Sequence, residues 1–304
     1  MIPFSYLSQH THKTGAAARA AKFDYPFPIY NIYSMTHRVK QTKQKNGNPF
    51  PVFPVVCLAL LASCAGGPKA QTASPFQTIL HQEEVLVHPD KRDTSPRLEL
   101  SFTLLDIRER GALQTLIRQF LYDGQTPEQY IRKITGEYSA SLADEERGAV
   151  FSQEWYYEET QQFTRYFSIA VVEKNWSEFT GGAHGNYSTR YLVIDLDRAE
   201  KLHWEKLIKE GERSVLTRLM EDELRLFSEL PPGKPLSEGY YFEDTIEAPS
   251  NFFLTPQGLG FQWDPYEIAP YAAGTVRVII PYERLRDILS PRGAQVINIL
   301  QQKE

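Results

Sequence analysis

The sequence predicts an α+β protein with a largely antiparallel sheet and packed amphipathic helices, arranged in two closely associated subdomains. Three observations predict this class. Apolar residues alternate with polar residues in Leu98–Leu104, they recur at helical spacing in Leu113–Leu121, and strand-like segments return after Asn251. Strands and helices that come in separate runs along a chain are typical of α+β folds.

The N-terminal segment is expected to lie outside the folded body. Residues 1–34 mix aromatic residues and prolines without periodicity, so we expect them to be untranslated or disordered. A basic stretch then begins at Met35 and leads into an apolar run from Pro51 to Ala62. This layout predicts a secretory signal peptide over residues 35–63, because the run is too short to cross a bilayer.

The signal ends in L-A-S-C, residues 61–64, which resembles the lipobox of bacterial lipoproteins. The resemblance implies cleavage between Ser63 and Cys64 and acylation of Cys64, which would anchor the mature chain in a membrane. The residue after Cys64 is Ala65. In enteric-type lipoproteins, an aspartate at this position resembles an inner-membrane retention signal, and this chain lacks it. We therefore expect the bacterial cell envelope, at the outer membrane or cell surface where the cell has one, and a lipid-anchored tether over residues 64–83.

The folded body is expected to begin near Glu84 with two half-buried strands. The segment T-P-E-Q at Thr126–Gln129 predicts a capping box with proline at the first position of a second helix. Two aromatic segments, Val150–Glu158 and Phe163–Glu173, predict a hairpin whose turn is the polar Glu158–Gln162. The hairpin is expected to lead directly into a glycine-rich turn.

The C-terminal half is predicted to alternate helices and strands. Helical spacing begins at Leu202, is interrupted at Gly211, and resumes until Phe227. The remaining predicted segments are a loop over Leu230–Gly239, strands over Asn251–Leu254, Leu259–Trp263 and Thr275–Pro281, a short helix over Tyr282–Leu289, and a tail over residues 291–304.

The first candidate site is the turn T-G-G-A-H-G-N, whose Gly181, Gly182 and Gly185 suit backbone angles that other residues avoid. Two interpretations of His184 remain open. It is a ligand contact or proton-transfer group that titrates near neutral pH, or its ring bonds the backbone of the turn. Asn186 is expected to cap the turn by accepting a backbone N–H.

The second candidate site is the segment W-D-P-Y-E-I-A-P-Y, which contains Trp263, Tyr266 and Tyr271. These side chains either form an aromatic surface that contacts a sugar or a protein, or they pack in the core. The two prolines predict a rigid turn in place of a mobile lid.

These stretches together resemble a known family. The glycine turn, the segment Phe253–Gly274 and V-I-I-P-Y at Val278–Tyr282 resemble the domain of unknown function in the extracellular part of RsiV-type lysozyme-sensing anti-sigma factors. The preceding region resembles the companion domain found there and in PdaC-type peptidoglycan deacetylases. The resemblance implies a PdaC-like domain over residues 84–178 and an RsiV-like domain over residues 179–290. The signal stands in place of the anti-sigma factor's transmembrane helix, so sigma-factor regulation is not implied.

Charge and residue types narrow the function classes. The formal charge of −5 combines +6 in residues 1–64 with −11 in residues 65–304, which argues against nucleic-acid binding. We expect no metal site, because His81, His88, His184 and His203 are not paired at ligand spacing. The sequence also offers no nucleophile motif, and we predict no catalytic residue and no cofactor.

Two functions follow as expectations. The first is a lipid-anchored, non-catalytic binding protein of the cell envelope that holds peptidoglycan fragments or a lysozyme-like protein. The alternative is a cell-wall-modifying hydrolase that uses a pair of carboxylates.

Overall fold

A computed structural model describes residues 76–92, 95–108, 110–143 and 154–302. The expectations for residues 1–75, including the signal peptide, cleavage at Ser63 and lipidation of Cys64, lie outside the described residues and stay predictions. Within these ranges, no helix combines the length and the apolar character needed to cross a membrane.

The larger sheet has six strands in the order of the chain. They are β1 (Phe76–Leu86), β2 (Arg97–Ile107), β3 (Glu154–Tyr166), β4 (Ile169–Phe179), β5 (Asn186–Asp195) and β6 (Glu200–Lys201). All neighbouring strands are antiparallel except β2 and β3, which are parallel. A parallel pair needs a crossover, and α1 (Ala112–Tyr122) and α2 (Pro127–Leu142) supply it. The predicted α+β class with a largely antiparallel sheet is confirmed.

The start of α2 confirms the predicted capping box. The Thr126 hydroxyl accepts a hydrogen bond from the Gln129 backbone N–H at 3.3 Å, and the Gln129 side chain accepts one from the Thr126 N–H at 2.9 Å. Pro127 occupies the first helical turn, where its missing N–H costs no hydrogen bond. The helix therefore begins where its local sequence places it.

The six-stranded sheet separates two hydrophobic cores. On β4, Ala170 and Val172 face the first core, beneath α1 and α2, while Ile169 and Val171 face the second. Strand side chains alternate between faces, so one strand serves both cores. The expected boundary between residues 178 and 179 falls within the β4–β5 hairpin, whose strands pair from Glu178 opposite Asn186 onward. The two subdomains thus share one sheet.

A second layer encloses the other core. It comprises α3 (Trp204–Leu207), α4 (Arg213–Phe227), α5 (Tyr282–Leu285), α6 (Pro291–Leu300) and a three-stranded sheet of β7 (Phe252–Leu254), β8 (Gly258–Trp263) and β9 (Val276–Pro281). Both neighbouring pairs of this sheet are antiparallel. The strands match the predicted segments within a residue or two.

Two terminal predictions are corrected by the structure. Strand β1 begins at Phe76, so residues 76–83 lie in the sheet and not in a tether; the Phe76 ring packs 4.0 Å from that of Phe163. The predicted tail is helix α6, and Val296 and Leu300 are buried in the second core. The folded body is therefore longer at both ends than the sequence predicted.

The predicted hairpin turn at Glu158–Gln162 is wrong, because β3 continues through it. The actual turn lies at Phe167, which has a φ of +53°. Glu159 and Gln161 are buried polar residues that hydrogen-bond to other elements as well as within β3: Glu159 accepts from Tyr130, and Gln161 accepts from the Leu105 N–H. Their polarity indicated a turn, but tertiary pairing keeps them in a strand.

Buried tyrosines give the fold a predicted sensitivity to alkali. Burial raises the pKa of Tyr191 to about 12, and it also raises the pKa of Tyr122, Tyr157 and Tyr282. The folded state thus favours the neutral phenol. Its stabilisation is complete below the unfolded pKa of about 10 and is lost as the pH rises from there through about 12.

We expect denaturant midpoints to fall steadily above about pH 10, with the phenolate absorbance of the buried tyrosines rising only as the protein unfolds. The contrary result would be full tyrosine ionisation near pH 10 in a protein that keeps its native circular dichroism.

Candidate functional site

The two sequence motifs meet at one end of the large sheet. The Tyr271 hydroxyl donates a hydrogen bond to the Gly185 carbonyl at 2.7 Å, although 86 residues separate them. The Tyr271 ring stacks on His184 with centroids 3.7 Å apart and an interplanar angle of 19°. The Tyr266 hydroxyl lies 3.4 Å from His184 Nε2, and Tyr187 meets the Tyr271 ring edge-on at 5.8 Å. We call His184, Tyr187, Tyr266 and Tyr271 the aromatic surface.

Tyr266 is the most exposed tyrosine of the aromatic surface. Its side chain is 59 % exposed, and its backbone has a φ of +69°, held by a hydrogen bond from its N–H to the Ala269 carbonyl at 3.0 Å. Trp263, by contrast, is 3 % exposed and lies 6.5 Å from the ring of Phe261 in the second core. Of the three predicted aromatic residues, Trp263 therefore packs in the core, whereas Tyr266 and Tyr271 contribute to the surface.

The glycine turn has the backbone that its sequence predicts. Gly181 and Gly182 have φ values of +88° and +101°. A Cβ on Gly185 would lie 2.5 Å from the Glu178 carbonyl oxygen, so that position needs glycine for close approach. The turn is thus tightly packed against the end of β4.

The side chains of His184 and Asn186 make different contacts at the glycine turn. His184 Nδ1 lies 2.9 Å from the Gly185 carbonyl, so the ring contacts the turn backbone while remaining exposed. The backbone contact agrees with the second interpretation, and a role of His184 in ligand contact or proton transfer stays a prediction. The Asn186 amide donates to Glu178 Oε1 at 3.3 Å, and the predicted acceptance of a backbone N–H by its side-chain oxygen stays a prediction.

Asp264 holds the loop after β8, which carries Tyr266 and Tyr271 and is called the aromatic loop below, against β5. Its carboxylate accepts hydrogen bonds from the Ser188 hydroxyl at 2.5 Å, from the Thr189 N–H at 3.3 Å and from Arg190. Its own N–H donates to Glu267 at 2.8 Å. One buried side chain therefore fixes the loop that carries Tyr266 and Tyr271.

Asn251 completes this junction. Its side-chain oxygen accepts from the Tyr191 N–H at 3.1 Å, and its amide donates to the Thr189 carbonyl at 2.8 Å. Strand β6 pairs only with the last two residues of β5. Asn251 and Asp264 therefore hydrogen-bond to backbone groups of β5 that would otherwise lack a partner at this edge of the sheet. The sequence did not predict that Asn251 and Asp264 bind the backbone of β5. The available signal was that Asn251 is a polar residue directly before β7 and Asp264 a polar residue directly after β8.

The Tyr187 phenol in the aromatic surface favours its neutral form. Burial raises the pKa of Tyr187, and the neighbouring Tyr271 and Asp264 raise it further. Arg190 pairs with Asp264 and lies 3.6 Å from Glu267, so this side of the surface carries a net acidic cluster. The arrangement offers ring faces and acceptors to a partner.

The aromatic loop lies in a recognised family region. Residues 205–283 match the family described as "Protein of unknown function (DUF3298)". This stretch is similar to the DUF3298 family. It supplies Tyr266 and Tyr271, whereas the glycine turn precedes the matched residues. A comparison with curated proteins found no match.

Two solved structures share the fold across most of the chain. A DUF3298 family member from Bacteroides fragilis NCTC 9343 is 23% identical, with a TM-score of 0.62, covering 75% of this chain and 97% of its own. A DUF3298 family protein from Pseudomonas aeruginosa PAO1 is 17% identical, with a TM-score of 0.53, covering 75% and 98%. These identities show likeness of fold alone. The narrower RsiV-like and PdaC-like assignments stay predictions.

A cavity of about 240 Å³ lies beside the glycine turn. Its lining residues are Glu137, Tyr138, Ser141, Trp155, Glu178 and Thr180. Glu137 comes from α2 and Glu178 from the end of β4, so two carboxylates face one cavity. Across the described ranges, no group of three or more His, Cys, Asp and Glu side chains is arranged to hold a metal ion.

A third carboxylate, Glu159, is enclosed in the first core with 0% exposure. The Tyr130 and Tyr157 hydroxyls donate to it at 2.6 Å, as does the Gln161 amide. Lys174 Nζ lies 3.6 Å away, and desolvation lowers the pKa of Lys174 despite the attraction of Glu159. Because Glu159 meets no solvent and its oxygens are partnered, it stabilises the core and offers nothing to a substrate.

Proposed function

We propose that the protein is a lipid-anchored, non-catalytic binding protein of the bacterial cell envelope, whose aromatic surface contacts a basic lysozyme-like protein or peptidoglycan fragments. The observation that carries this proposal is the convergence of the glycine turn and the DUF3298 loop on one exposed aromatic surface. Tyrosines that are held rigidly and partly exposed are frequent energetic anchors of protein interfaces.

The shape and charge of this region favour a protein partner over a small ligand. Small ligands usually occupy concave sites, but Tyr266 and Tyr271 line neither the cavity beside the glycine turn nor a second cavity next to Arg165, Tyr166 and Phe167. Residues 65–304 carry a formal charge of −11, which attracts basic proteins. Salt screens this attraction, so it weakens as the salt concentration rises. A basic lysozyme is therefore the favoured partner, and peptidoglycan fragments are the second arm of the test.

Envelope anchoring rests on the lipobox-like L-A-S-C and the apolar run before it. Mass spectrometry of the native N-terminus tests it directly, since an acylated Cys64 is the expected first residue. Recovery of the intact chain from the cytosol would oppose it.

Replacing Tyr266 by alanine is expected to weaken lysozyme binding by about tenfold or more, because an exposed aromatic anchor is lost. A fragment beginning at Ala65 would be immobilised and its retention of lysozyme measured at low and high salt. The same assay with soluble peptidoglycan fragments identifies which partner depends on Tyr266.

Phe167→Ala is the matched control. Phe167 is also an exposed aromatic residue in a turn with positive φ, but it lies at the opposite end of β4. Equal loss in both variants, or no retention of either partner by the unaltered fragment at low salt, would contradict the proposal.

The cavity beside the glycine turn supports a second candidate function. Glu137 and Glu178 face the same space, and a carboxylate pair is what a glycosidase requires. Incubation with purified peptidoglycan would release sugars if this hydrolase activity exists. Turnover that is abolished by Glu137→Gln or Glu178→Gln would favour the enzyme over the binding protein.

A further inference from the structure

We propose that the cavity beside the glycine turn binds a primary ammonium group. This inference goes beyond the proposed binding function, because it concerns a site other than the aromatic surface, requires no hydrolysis in the cavity, and holds for any partner that carries the group. The cavity has a volume of about 240 Å³ and is lined by two carboxylates, two aromatic rings and two hydroxyl groups, from Glu137, Glu178, Tyr138, Trp155, Ser141 and Thr180.

The carboxylates lack a cationic partner from the described part of the chain. Glu178 accepts hydrogen bonds from the Tyr138 hydroxyl and the Asn186 amide, both neutral donors. Among the ion pairs of the described residues, none joins Glu137 or Glu178 to a lysine or an arginine. A carboxylate has room for about four hydrogen bonds, so both retain free acceptor sites for a cation.

The aromatic lining selects an organic cation over a metal ion. Among the described residues, no group of three or more His, Cys, Asp and Glu side chains is arranged to hold a metal ion, and this cavity has only two carboxylates. An ammonium group needs only a few acceptors, and it is attracted to aromatic faces such as those of Tyr138 and Trp155. Trp155 is buried in the first core, and the Tyr138 ring packs 5.1 Å from Tyr157, so these walls are held in place.

The position of Glu178 is set by the surrounding fold. The Tyr138 hydroxyl orients the Glu178 carboxylate from α2, and Asn186 does so from the start of β5. The cavity is therefore preformed and adjoins the glycine turn through Thr180. A partner resting on that turn could place a lysine side chain or the free amine of an amino sugar in the cavity.

The test is a saturation-transfer NMR titration of the full chain in detergent. The cationic probes are Nα-acetyl-lysine methylamide and methyl glucosaminide, and their N-acetylated forms are the neutral counterparts. We expect an amine probe to bind about tenfold more tightly than its acetylated form, and the lysine and sugar arms to identify the source of the ammonium group. No lysozyme is present, so failure here is distinct from failure of the proposed function.

Variants locate the binding. Glu137→Gln combined with Glu178→Gln is expected to weaken the amine probe about tenfold, as expected for two partly exposed carboxylate contacts. The matched control is Glu205→Gln with Glu210→Gln, which changes the net charge equally at two exposed positions outside the cavity. Glu137→Gln alone changes an exposed helical position, so it should fold even if the double variant does not. It should weaken binding of the amine probe by less than the double variant does.

Equal binding of amine and acetylated probes would overturn the inference. So would an unchanged affinity in the cavity variants, or the same loss in the Glu205 and Glu210 control.

Discussion

Asp264→Ala is expected to lower the free energy of unfolding by about 3 kcal/mol and to abolish partner binding through the aromatic surface. The substitution removes the acceptor of three donors at once, those of Ser188, Thr189 and Arg190. It also releases the loop that carries Tyr266. Denaturant unfolding measures the first effect and retention of lysozyme measures the second.

Two comparisons separate these effects. Asp264→Asn keeps one acceptor oxygen, which can serve either Ser188 or Thr189, and it loses the charge opposite Arg190, so it should recover part of both stability and binding. Asp197→Ala, in an exposed turn, should change stability by less than about 0.5 kcal/mol. An Asp264→Ala protein that binds normally would show that the loop keeps its position without this anchor.

Glu159→Leu is expected to lower the free energy of unfolding by about 3 kcal/mol. This value is at the lower end of the loss of stability expected when a buried ion pair is broken, because the Lys174 side chain keeps 15% exposure. The change leaves Lys174 and the Tyr130 hydroxyl without their acidic partner. Thermal and denaturant unfolding provide the measurement.

The double variant Glu159→Leu with Lys174→Met tests the cause. It should be more stable than Glu159→Leu alone, because it removes the unpaired charge together with its partner. Glu158→Ala, on the exposed neighbouring position, serves as the surface control. Additive losses in the double variant would mean that Glu159 contributes through packing and not through its charge.

Local sequence predicted those parts of the fold whose signals are local. The capping box at Thr126 and the alternation in Leu98–Leu104 each depend on neighbouring residues, and both match the structure. The segment around Glu159 does not, because its polarity is balanced by Tyr130 and Lys174 from other elements. Helix α6 also had a local signal: Ser290 accepts from the Gly293 N–H ahead of an apolar face, and the sequence analysis overlooked it.

The candidate site was predictable as two motifs but not as one surface. Glycine and aromatic spacing marked the residues, while their contact depends on tertiary anchors such as Asp264 and Asn251. Tyr266 and Trp263 belong to one short segment with the same aromatic character, yet one is exposed and the other buried. Only the turn geometry after Trp263 decides between these outcomes.

The direction of β1 determines how the molecule can be attached. The chain joins the large sheet at Phe76, opposite Ile107, whereas the glycine turn follows Phe179 at the other end of the strands. An 11-residue strand is about 35 Å long, so roughly that distance separates the point of attachment from the binding face. Fastening the protein through its N-terminal side, by an acyl group or by an affinity bead, therefore leaves the distal face clear for an approaching partner.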